Sequence, residues 1–157
     1  VWTAEQALHA LRTFEAARIA LVEQPVAADD IVGMQWLHER VDIKIAADES
    51  VLIPDGFVRL IASRAVDVFV LKPMFLGGWS ATRDMARMAV EAGFEVTVTH
   101  ALESGVGRHA AACVAALLDV PMLPVRWVRD AADGQAAHRS RGTQVGDFVR
   151  QFRRPPV

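Results

Sequence analysis

The sequence predicts an α/β protein built from parallel βαβ units. Four short, almost wholly apolar runs end near residues 23, 48, 72 and 99, at intervals of 25, 24 and 27. Stretches of helical periodicity lie between them, and strands alternating with helices form a parallel sheet. Strands that lack a polar alternation are expected where both faces of the sheet are covered. The pattern fits a (β/α) barrel or an open doubly wound sheet, with about four βα units.

The elements follow in order. Thr3-Ala4-Glu5-Gln6 is a capping box, and Ala7, Leu8, Leu11 and Phe14 then recur at helical spacing, predicting a helix over 4–17. Residues 19–22 are a buried strand stopped by Glu23-Gln24-Pro25. Asp29 or Asp30 caps a helix reaching about Glu39, with Ile31, Met34 and Leu37 inward. Residues 43–47 form the second strand, ending at Asp48-Glu49-Ser50, and Asp55 caps the helix that carries Phe57, Val58, Leu60 and Ile61. The third strand, 66–71, ends at Lys72-Pro73. Ser80 caps a helix over 81–92, and Gly93 suits the left-handed position that closes it. Residues 96–99 are the fourth strand, and the alanine-rich stretch 107–118 is one more helix.

Composition places the chain among globular proteins. Its 157 residues are 52% hydrophobic and 23% charged, which predicts one domain and excludes a disordered chain. No apolar run approaches the roughly 18 residues of a membrane span, and no signal peptide is visible after Val1. The single cysteine, Cys113, permits no internal disulfide, fits a reducing, cytoplasmic setting, and is expected to be buried in its helix. Residues 1–120 carry a net charge of −6, whereas residues 121–157 hold seven Arg and three Asp for +4. That tail lacks a recognition motif or interleaved aromatics, so a nucleic acid is not an expected partner, and without an apolar span neither is a membrane.

Chemistry concentrates where the strands end. Three successive strands finish in Glu23, Asp48 and Lys72, and in a (β/α) barrel the active site lies at the C-terminal ends of the strands. Alternation puts Leu21 with Glu23, Ala46 with Asp48 and Val70 with Lys72 on shared faces, so the charged groups converge if those apolar partners fill a barrel. A lone acid after a strand is commonly a helix cap or a solvated charge. Three charged groups at one topological position are harder to read that way. Carboxylates on adjacent rigid strands suit Mg2+, and a lysine facing them can act as acid, base or electrostatic stabiliser.

The motifs are more specific. Val22-Glu23-Gln24-Pro25, Ala47-Asp48-Glu49-Ser50 and Leu71-Lys72-Pro73-Met74 with Leu76-Gly77-Gly78 resemble the muconate-lactonising subgroup of the enolase superfamily. The lysine motif, with Thr99-His100-Ala101-Leu102-Glu103-Ser104-Gly105-Val106-Gly107-Arg108 after it, is most similar to the o-succinylbenzoate synthases. The resemblance covers about residues 1–118 and implies a partial TIM-type barrel over 1–120, followed by an atypical Arg-rich tail over 121–157. It implies Glu23 and Asp48 as metal ligands, Lys72 as the catalytic lysine that steadies an enediolate, and Glu49 as a carboxylate close to metal and lysine. It implies that His100, Ala101, Leu102, Glu103 and Ser104 help seat a small carboxylate substrate. The implied cofactor is Mg2+, with Mn2+ as a substitute.

The implied reaction is a dehydration in menaquinone biosynthesis, with N-acylamino-acid racemisation or dipeptide epimerisation as the alternative on the same scaffold. The family takes its first metal ligand from an Asp-x-Asn motif and its base from a Lys-x-Lys pair, both expected before Val1. The isolated 157-residue chain is therefore expected to be inactive, with a non-catalytic fragment of such an enzyme as a further alternative, and its open barrel edges invite a homo-oligomer. At position 100 the resemblance leads one to expect Ser or Thr, where this chain has His100. Trp2, Trp36 and Trp79 are expected to pack, and His9, His38 and His109 lack metal-ligand spacing. Lys44 belongs to the opposite end of its strand from Asp48 and reads as a rim charge.

Overall fold

A computed structural model of the chain describes residues 2–120. The predicted Arg-rich tail lies outside the described residues. The order is α1 (Ala4–Ala16), β1 (Leu21–Glu23), α2 (Ile31–His38), β2 (Lys44–Ala47), a 3₁₀ turn (Glu49–Val51), α3 (Gly56–Ser63), β3 (Val68–Leu71), α4 (Trp79–Glu91), β4 (Glu95–Val98) and α5 (Gly105–Leu118). The strands form one parallel sheet in the order β1-β2-β3-β4, so every neighbour in sequence is a neighbour in space. A doubly wound sheet would reverse its order at a switch point; this one only advances, as a barrel wall does.

The two faces of the sheet confirm that choice. Ile45, Ala47, Phe69, Leu71, Val96 and Val98 join one core cluster with Leu11, Met34, Leu37, Leu60 and Ala89 from the helices. The opposite face carries a separate cluster of Ala46, Val68 and Val70 with Leu21 against it, and among the described residues no helical residue belongs to it. Helices thus cover one face, and the other is the inner wall of a partial (β/α) barrel. Phe69 anchors the helical side, its ring 4.9 Å from Phe57 and 5.2 Å edge-on from Phe94. Fully buried aromatics of this kind supply the largest single hydrophobic contributions in a core.

Local chemistry explains the boundaries. Thr3 and Gln6 form the reciprocal capping box at α1. Asp30, not Asp29, caps α2, its Oδ1 accepting from the Gly33 N–H at 2.8 Å. β1 starts at Leu21, two residues later than expected, because Arg18 turns into the left-handed region and leaves Ile19 exposed. Asp55 does stand at the start of α3, but its backbone is left-handed and its side chain makes no capping bond. α4 begins earlier than expected: Gly78, with φ +95°, is its cap, and Ser80 falls inside the first turn. Gly93 takes the left-handed position after α4 and donates its N–H to the Val90 carbonyl. Cys113 is exposed, which corrects the expected burial; Ala111, Val114 and Ala115 form the inward stripe of α5 instead.

The end of the sheet where the strands begin is stitched by side chains. Asp67 accepts the Ile45 N–H at 2.9 Å through one oxygen and meets His38 Nε2 at 3.0 Å through the other. Lys44 pairs with Glu95 at this same end. Among the described residues no helix is long and apolar enough to cross a membrane.

Candidate active site

The functional side chains stand at the other end, where the strands stop. Glu23 is the last residue of β1, Asp48 follows β2 and Lys72 follows β3. Lys72 Nζ forms an ion pair with Asp48 Oδ2, and the two side chains are only 17% and 5% exposed. The Glu23 carboxyl lies within hydrogen-bonding reach of Asp48 from the other side. Asp48 is thus the middle member of a row of three, as the sheet order requires of the middle strand.

The row is electrostatically unbalanced. The pKa of Glu23 is raised from 4.5 to about 7, first by partial burial of its carboxyl, although the residue as a whole remains exposed. The negative charge of Asp48, the hydrogen bond shared with it and the charge of Glu49 push the same way, whereas Lys72 pulls it down. Among the described residues Lys72 is the one cation acting on Glu23 against the charges of Asp48 and Glu49, so a further cation here would relieve repulsion. Hard oxygen donors on neighbouring strands fit Mg2+ in this role. Among the described residues no group of three or more His, Cys, Asp and Glu side chains is arranged to hold a metal ion. Glu23 and Asp48 therefore fit as a partial donor set.

Beside the pair opens a cavity of about 500 Å³. Glu23, Asp48 and Glu49 form its acidic side, and Val26, Ala27 and Ala28, on the segment between β1 and α2, form its apolar side. Glu49 opens the 3₁₀ turn directly after Asp48 and is exposed.

Two residues that sequence reasoning passed over hold this end together. Gln24 Oε1 accepts from the backbone N–H of Asp48 at 3.0 Å and of Ser50 at 3.2 Å. Its Nε2 donates to Ser50 Oγ at 2.8 Å and to the Val26 carbonyl at 3.1 Å. The buried Ser50 hydroxyl in turn donates to the Ala28 carbonyl at 2.7 Å. The available signal was their adjacency to the strand-end acids, but nothing periodic marks a bond between residues 26 apart.

The 101–104 segment lies beyond β4. His100 is 4% exposed and follows at the parity of Val96 and Val98, which face the helices, while Thr99 follows at the parity of Thr97 on the inner face. His100 Nδ1 meets the Ala101 carbonyl and stands 3.6 Å from Glu103 Oε2. Glu103 is tucked against Gly107, where an added Cβ would come within 2.6 Å of it, and its buried Oε2 has no hydrogen-bond partner among the described residues. Leu102 is exposed, and Ser104 precedes α5 without a side-chain cap bond. His100 and Glu103 form a separate buried pair with no direct bond to the row of Glu23, Asp48 and Lys72 among the described residues.

Comparison with known proteins places this geometry. The sequence model of the family described as Enolase C-terminal domain-like matches residues 1–142. Muconate cycloisomerase 1-2 of Acinetobacter lwoffii is 35% identical over 111 residues, covering 71% of this chain and 29% of the relative. The o-succinylbenzoate synthase of Thermobifida fusca is 37% identical over 123 residues, covering 78% and 37%. Among solved structures, a dipeptide epimerase from Cytophaga hutchinsonii complexed with Mg and the dipeptide D-Ala-L-Val superposes with a TM-score of 0.69 at 33% identity. That match covers 73% of this chain and 31% of the epimerase. The chain spans roughly a third of the length of these relatives. An advancing parallel sheet, an acid–acid–lysine row at its C-terminal end and a family match across most of the sequence agree, and the chain belongs to the enolase C-terminal domain-like family of the enolase superfamily.

Proposed function

We propose that this chain carries part of the active site of an enzyme that removes a proton from the carbon next to a substrate carboxylate. The observation that supports this most is the row itself, in which Asp48 stands between the Glu23 carboxyl and the Lys72 ammonium at the barrel mouth. Glu23 and Asp48 would hold Mg2+, and the chemistry it would supply there is to polarise a substrate carboxylate so that the neighbouring carbon becomes more acidic. Lys72 places a fixed positive charge beside the site, where negative charge grows as the proton leaves. The cavity beside Glu23 and Asp48 receives the substrate, with Val26, Ala27 and Ala28 excluding water on one side. The base that takes the proton stands outside this set of residues.

The specific reaction we propose is that of an o-succinylbenzoate synthase. A proton leaves the carbon beside the ring carboxylate of 2-succinyl-6-hydroxy-2,4-cyclohexadiene-1-carboxylate, and the hydroxyl departs with a proton as water. The Lys72-Pro73-Met74 motif and the Thr99–Arg108 run support this choice, as does the Thermobifida relative. Dipeptide epimerisation is the second reading, favoured by the likeness to the Cytophaga epimerase and its bound dipeptide. The test assays the whole protein with Mg2+ against that cyclohexadiene and a panel of dipeptides and N-acylamino acids. Turnover of dipeptides alone would overturn the dehydratase assignment and leave the family chemistry standing.

A further inference from the structure

We propose that Gln24 is the positioning residue that sets the spacing of the two metal-binding strand ends; the proposal rests on the reading of Glu23 and Asp48 as ligands. A glutamine amide offers two acceptor lone pairs and two donor hydrogens. Here all four are used, and three of the partners belong to the segment carrying Asp48 or to the turn after it. Oε1 takes the N–H groups of Asp48 and Ser50, while Nε2 gives to Ser50 Oγ and the Val26 carbonyl. The Gln24 N–H also extends the ladder, donating to the Ala46 carbonyl at 2.9 Å. One residue directly after Glu23 therefore grips the backbone of Asp48 itself.

The backbone supports the same conclusion. Gln24 has φ +43°, in the left-handed region that side chains other than glycine seldom adopt. Such a conformation persists where surrounding bonds hold it, and here the amide supplies four. Carboxylates on two short strands need fixed separation if both are to reach one small cation, because Mg2+ tolerates little departure from octahedral geometry. Partners behind the ligands commonly change metal affinity by ~10–100-fold when removed.

The test is Mg2+ titration calorimetry on the whole protein, with thermal melting recorded alongside. Gln24→Leu keeps the bulk and removes every amide bond; Gln24→Asn keeps the amide on an arm one methylene shorter. Both should bind Mg2+ at least ~10-fold more weakly than the parent. Ile45→Val, a core change away from the strand ends, should lower the melting temperature and leave Mg2+ affinity unchanged. Affinity within twofold of the parent in either Gln24 variant, or a loss matched by Ile45→Val at equal melting temperature, overturns the proposal. Asp48→Asn is run in parallel. If it binds Mg2+ like the parent, the ligand reading fails and the role of Gln24 falls with it; if it alone loses binding, only the positioning role fails.

Discussion

Lys72 and Asp48 are joined in an ion pair across the ends of β3 and β2, and Asp48 is the more deeply buried of the two. Taking charges out of water is costly, and such a pair is weak evidence for stability by itself. Its position at the barrel mouth, with a second carboxyl against the same aspartate, points instead to a functional use. We predict that Asp48→Asn keeps the fold, because the amide is isosteric and can still accept from Lys72. Turnover should fall by more than about tenfold, the lower bound seen when even indirect partners of a metal ligand are removed. The check is kcat in the whole protein, with circular dichroism as the control for folding. A kcat within tenfold of the parent would refute the ligand role.

Lys72→Ala separates charge stabilisation from metal binding. Removing the ammonium takes away a positive charge that serves the transition state, so kcat should fall by roughly 10²–10³, as for other preorganised electrostatic groups. Mg2+ affinity should hold or rise, because a positive neighbour of the two carboxylates is gone. Calorimetry that showed affinity collapsing together with kcat would mean that Lys72 chiefly holds Asp48 in place.

The strand ends were legible because covered parallel strands are unbroken apolar runs and the charged residues that stop them are conspicuous. Glu23, Asp48 and Lys72 could be read this way, and the structure brings all three together. Boundaries set by backbone strain were not legible. The left-handed turn at Arg18 shifts β1, and Gly78 takes the cap that Ser80's chemistry suggested. The exposure of Cys113 is not legible because an alanine-rich helix shows little contrast between its faces, so periodicity does not mark which side turns to water. The bonds of Gln24 with Asp48 and Ser50 link strand ends 24 and 26 residues apart, and only the fold creates them.

At the other end of the sheet, Asp67→Ala should cost stability and leave the site alone. The carboxylate accepts the Ile45 N–H and partners His38, and deleting it leaves a β2 donor without its partner. Losses of this kind are about 1–3 kcal/mol. Urea unfolding measures the loss, and Mg2+ titration of the same variant should match the parent. A change in Mg2+ affinity would show that the two ends of the strands are coupled.

Glu23→Gln makes the last prediction, in protein stripped of metal by chelator. The Glu23 carboxyl titrates near 4.5 when unfolded and at about 7 in the fold. Below pH 4.5 both states hold the proton, and the group has no effect on stability. Between 4.5 and 7 the folded state binds more protons than the unfolded state, so stability falls as pH rises. Above 7 both are ionised, and the full penalty of a crowded carboxylate beside Asp48 remains. Gln cannot ionise and escapes this penalty. The variant should therefore melt at the same temperature as the parent near pH 4.5, gain on it through the window, and keep a constant advantage above pH 7. Saturating Mg2+ should reverse the order, because a ligand bound only by the folded parent stabilises it by mass action. Melting curves at four pH values, with and without Mg2+, decide the matter. A parent more stable than Glu23→Gln at pH 8 in chelator would show that the row is balanced without a metal ion.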